Sequence, residues 1–153
     1  MKKAEIKPAL ESLKKIKINK FEDKQLKNDL IDDHFALLDA GKKVDAAVEA
    51  KRTVFLESYK DEEQAVQDLQ TKMNEAATRE EQIALAKELR EKHAGYLDAV
   101  KDFNENVNTL YAEEVAGLKP IDRQKFMEEI GKQDFDLGMV EALYPLFVIE
   151  TTK

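Results

Sequence analysis

The sequence predicts an all-α fold: a long antiparallel helical hairpin packed with short N- and C-terminal helices. Three observations predict it. Of the 153 residues, 37% are charged and only 5 are Gly, a balance that suits long solvated helices better than sheet. Between about residues 23 and 77 there is no Pro and one Gly, and the apolar residues recur at helical spacing. A second such run, from about 79 to 116, sets apolar against apolar when the chain folds back near residue 78.

The elements follow in order. Residues 7–16 read as a short helix, with Pro8 in the first turn, where its missing N–H would lack a partner anyway. Leu10, Leu13 and Ile16 give it a one-sided stripe. Lys15-Ile16-Lys17-Ile18-Asn19 then alternates with period two, as a brief strand or a frayed helix end would. The alternation favours an extended segment and allows a minor two-stranded β element.

Asp23 is a candidate N-cap for the first long arm, because its carboxylate can accept from the free amides of the first turn. Leu26, Leu30, Leu37, Val44, Val48, Phe55, Tyr59, Val66, Leu69, Met73 and Ala76 share one face of it. Gly41 lies on that face and permits close approach. The eleven-residue steps from Val44 to Phe55 and from Val48 to Tyr59 relax left-handed supercoiling locally. Thr78-Arg79-Glu80-Glu81 matches a capping box, so the turn falls at about 76–79.

The second arm is a clear heptad. Ala86, His93, Val100 and Val107 hold one seam position; Leu89, Tyr96, Phe103 and Leu110 hold the other. Ile83, Leu97 and Tyr111 widen the stripe, and a face that wide expects more than one neighbour. With the turn near 78, Phe55 comes opposite Val100, Val48 opposite Val107, and His93 beside Glu62 or Glu63. The arms are unequal, roughly 80 Å and 57 Å at 1.5 Å per residue. Residues 23–40 therefore overhang, and Leu26, Leu30, Ile31, Phe35, Leu37 and Leu38 need cover.

Gly117 and Pro120 stop the second arm. Asp122 caps a short helix with Phe126, Met127 and Ile130 inward, and Gly131 closes it. Asp136 caps a last helix through Leu137, Val140, Leu143 and Tyr144. The apolar run Leu146-Phe147-Val148-Ile149 follows Pro145. The whole chain, 1–153, is expected to form one helical domain, with 121–149 folding back on the overhang. Leu143, Leu146, Phe147 and Ile149 are the candidate interaction surface, serving as internal cover, as a partner patch, or as both.

Composition narrows function. The net charge is −7, which opposes nucleic-acid backbones. The first twenty residues hold seven Lys against Glu5 and Glu11, a local +5 that leaves −12 elsewhere; this basic stretch reads first as the solvated face of a helix. There is no Cys, so thiol chemistry and Cys-held metals are excluded. No apolar run reaches membrane-span length, and no apolar stretch follows the first lysines as a signal peptide requires. A cytoplasmic location is expected, or a virion-associated one if the chain is phage-encoded.

No constellation suggests catalysis, a cofactor or a metal. His34 and His93 both lie on apolar stripes, roughly 44 Å apart along the hairpin. Residues 31 and 90, three before each, are Ile and Arg, so the Glu-x-x-His pattern of di-metal bundles is missing. The acidic pairs, among them Asp32-Asp33 and Glu128-Glu129, read as solvated faces. Ser12 and Ser58 have no His in local register, and the glycines form no phosphate loop.

Lys15 to Asn19 with Asp23 to Asn28, and Asp136-Leu137-Gly138 through Leu143-Tyr144-Pro145-Leu146-Phe147, carry a resemblance. In that layout the chain resembles small helical-hairpin proteins of unknown function encoded by bacteriophages, often among structural genes. The resemblance implies a structural or assembly accessory role and no known active site. The expected function is a non-enzymatic interaction or assembly protein that binds a protein partner or forms a homo-oligomer. The alternatives are an acidic cytoplasmic chaperone that masks an amphipathic helix of a client and, less favoured, a metal-binding helical-bundle enzyme.

Overall fold

The computed structural model describes residues 1–148, and among them every regular element is helical. The α-helices are α1 (Ile6–Lys15), α2 (Lys24–Glu75), α3 (Arg79–Lys92), α4 (Ala94–Ala112), α5 (Arg123–Ile130) and α6 (Leu137–Leu143). The chain divides into two compact units. Unit 1 is Met1–Asp45 with Leu110–Lys153, and unit 2 is Ala46–Thr109.

Unit 1 covers the overhang with the two ends of the chain. Leu26, Leu30, Leu37 and Val44 of α2 are all buried. So are Ile6, Ala9 and Leu13 of α1, and Ile121, Phe126, Ile130, Met139, Leu143, Leu146 and Phe147 from the C-terminal part. α1 packs on α6. Phe126 lies at the centre, with Phe21 edge-on at 6.0 Å and Phe147 at 5.2 Å between ring centroids. Each such side chain contributes roughly 1.5–3 kcal/mol when fully buried. Ile31 and Phe35, on the other side of α2, stay exposed.

Local chemistry sets the element ends. The Asp23 carboxylate accepts from the Leu26 amide at 2.9 Å, Asp122 from Lys125 at 3.1 Å and Asp136 from Met139 at 2.9 Å. Each bond satisfies an amide that helix geometry leaves free. Gly117 has φ of 78°, a left-handed turn that glycine adopts without strain.

The expected extended segment at 15–19 is largely absent. Ile16 alone is extended, and Ile18–Lys20 form a 3-10 turn. Period-two alternation over five residues is too short to distinguish a strand from a turn. The extended pairing lies elsewhere, as isolated bridges. Lys2 pairs antiparallel with Glu114, and Ile121 pairs parallel with Phe147. In the first, Lys3 N donates to Glu113 O at 2.8 Å and Val115 N to Met1 O at 2.9 Å.

In unit 2, the later part of α2 runs antiparallel to α3 and α4. Phe55 touches Tyr96 and Phe103, one turn either side of Val100, with ring centroids at 5.8 and 5.3 Å. Tyr59 meets Tyr96 edge-on at 5.9 Å. Both arms, expected to be continuous, are interrupted at this level. Tyr59 in α2 has φ −130° and ψ 18°, and His93, between α3 and α4, has φ −124° and ψ 25°. Helices packed along their lengths must bend together, and these breaks face each other. The second arm also ends at Ala112, short of 116. At the turn, Thr78 accepts from the Glu81 amide at 3.2 Å. The Glu81 carboxylate returns to the amide of Ala77, one residue before the position a capping box predicts.

Candidate interaction site

The surface nominated from sequence is core. Leu143, Leu146 and Phe147 are 0%, 3% and 7% exposed, so they serve as internal cover in unit 1. Ile149 lies outside the described residues. The run packs on Phe126 and pairs with Ile121, and apolar character alone does not say which side of a short segment faces inward. Around it, the exposed apolar side chains are Phe135, Leu137, Tyr144 and Val148.

The histidines do not converge on a site. His93 is half-buried, with Nδ1 at 4.0 Å from Glu62 Oε1 and no hydrogen bond to that nitrogen. The His34 ring stands edge-on to Phe35 at 6.0 Å. Among the described residues no group of His, Asp and Glu is arranged to hold a metal ion. No helix is long and apolar enough to cross a membrane, again among the described residues.

In two of the acidic pairs one member is drawn out of solvent, while Asp32 and Glu128 stay exposed. Glu129 is buried and accepts from the Glu22 amide at 2.8 Å. That bond, more than the Lys132 ammonium at 3.2 Å, holds its carboxyl below the usual range. Asp33 is 0% exposed. Its Oδ1 accepts from the Lys119 amide at 2.7 Å, while Oδ2 has no partner. Burial pushes its pKa up to about 6. The Lys119 amide bond and charge pull the other way; Asp29 and Asp32 add to the rise. The sequence held the signal for this placement: Asp33 falls three residues after Leu30 and four before Leu37, on the buried stripe. Through the bond from the Lys119 amide, Asp33 fastens the loop before Pro120 to α2.

The feature with the form of a binding site lies in unit 2. A groove of about 500 Å³ runs between α2 and α4. Val54, Phe55, Tyr59 and Phe103 supply its apolar lining, and Ala50, Ser58 and Ala99 keep it open. Val54 is 64% exposed. Lys51 stands on the α2 wall and Asp102 on the α4 wall. No family model, curated protein or solved structure matches this chain. The groove's lining holds one carboxylate, one ammonium, a hydroxyl, a phenol and an amide around exposed hydrocarbon, which suits packing against another protein surface.

A second, smaller cleft of about 210 Å³ lies in unit 1, between Ile6, Leu10, Leu38, Val44 and Tyr111, with Lys3, Lys7 and Lys42 at its rim. Lys3 is bound to Glu113 at 2.5 Å. Part of the basic N-terminal stretch is thus committed to internal pairing.

Proposed function

We propose that the protein is a non-enzymatic interaction or assembly protein whose working surface is the α2–α4 groove. The observation that carries this reading is the exposure of Val54 beside Phe55 and Phe103 in an open groove. Exposed hydrocarbon costs free energy in water, and contiguous patches of it mark contact surfaces. The phage-like layout of the sequence agrees with an assembly accessory role. The −7 charge and the groove's apolar lining also suit the second reading, a chaperone that holds a client's amphipathic helix.

A photo-crosslinking amino acid tests the proposal. Placed at position 54 in the producing cell, it should give discrete protein adducts. Placed at exposed Gln67, it should give none. Equal labelling from both positions would remove the groove as the working surface.

A further inference from the structure

We infer that the groove between α2 and α4 is closed by the same groove of a second copy of this chain. The inference rests on the reading of that groove as a contact surface and names its occupant. Its two walls carry opposite charges, Lys51 on α2 and Asp102 on α4. Among the described residues neither joins an ion pair.

A dyad running along the groove lays each copy's α2 over the other's α4. It thereby pairs Lys51 with Asp102 twice, as an isologous interface requires. A uniformly basic or uniformly acidic partner would satisfy one wall and repel the other. Ala50 and Ala99 let the second copy approach closely, and Val54 of each copy enters the hydrocarbon of the other. Unit 2 holds nine Lys and Arg against fourteen Asp and Glu, a net −5. That repulsion acts at long range and is screened beyond about 8 Å at physiological salt, whereas the apposed pairs act at contact.

Sedimentation of the full chain from about 1 to 300 µM, spanning the affinities of modest interfaces, should show its mass rising from 17.5 kDa toward twice that value. Val54→Asp should abolish the rise. Lys51→Asp and Asp102→Lys should each weaken dimerisation about tenfold, and the double swap should restore it. The chain has no Cys, so mixing Lys51→Cys with Asp102→Cys and adding a short bis-maleimide should give a covalent heterodimer.

A dimer indifferent to all of these variants would overturn the inference by placing the contact elsewhere. A strict monomer would also overturn it. Discrete adducts from position 54 in that case would preserve the contact-surface reading with a different occupant; their absence would remove both.

Discussion

Leu37 and Phe55 lie on one stripe of one helix, yet Leu37 is completely buried and Phe55 is not. The difference follows the two units. Around Leu37, unit 1 has both chain ends, bringing Ile6, Leu13, Phe126, Leu143 and Phe147 into one core. Around Phe55, unit 2 has α4 and little else. Among its described residues only Val66, Leu69 and Tyr96 are buried apolar side chains. Two antiparallel helices can cover one side of each other, and a stripe wider than that seam stays wet. The same periodicity thus gives a closed core where the chain returns and an open groove where it does not.

Removing the cover from unit 1 should have the largest effect. Truncation after Gly117 deletes Ile121, Phe126, Ile130, Leu143, Leu146 and Phe147, all buried. At roughly 1.5–3 kcal/mol each, that loss is comparable to the whole stability of a small domain. Amide exchange across Leu26–Val44 should rise toward unprotected rates. Retained protection there would show that the chain ends are not what holds that part of α2.

Single substitutions sharpen the contrast. Phe126→Ala, in the closed core, should cost about 3–5 kcal/mol in urea unfolding. Phe103→Ala, on the open groove, should cost less than half of that, because part of its ring already faces water. Equal losses would mean that the units are equally well packed.

Asp33 gives a pH signature that belongs to unit 1. Its folded pKa, about 6, lies above the ordinary value of 3.8, so the folded state holds the proton more tightly. The stability this confers is present below pH 3.8 and is lost as pH rises to about 6. Asp29, Asp32 and Lys119 are the charged groups around it. Asp33→Asn keeps an acceptor for the Lys119 amide and removes the buried charge. It should stabilise the protein by about 1–2 kcal/mol at pH 7. The advantage should shrink through pH 6 to 4 and vanish below. Asp23 and Glu129, whose carboxyls are held low, contribute the opposite slope, lost as pH falls through their folded values. The comparison is therefore read as the difference between variant and parent. A difference that does not change with pH would show that Asp33 is not buried as a charge.

The smallest effects are at the caps. Asp136→Ala should cost about 1 kcal/mol and Thr78→Ala about 0.5–1 kcal/mol, by thermal melts. Asp136 opens a helix inside the closed core, whereas the 3.2 Å bond from Glu81 to Thr78 is solvent-exposed. The reverse order would argue that unit 2 depends more on its turn than unit 1 does on its caps.

The helical class, the caps at Asp23, Thr78, Asp122 and Asp136, the turn near 78, and the need to cover residues 23–40 are all legible in the amino-acid order. These are local or periodic properties, and hydrogen-bonding geometry and a 3.6-residue repeat express them directly. Tertiary structure decided which side of each stripe is closed. It buried Leu143, Leu146 and Phe147, nominated as surface, and drew Asp33 and Glu129 out of water to meet the amides of Lys119 and Glu22. It also set the matched breaks at Tyr59 and His93 and left the groove at Val54 open. Each of these depends on a neighbour far along the chain, and a residue's own spacing does not carry the identity of that neighbour.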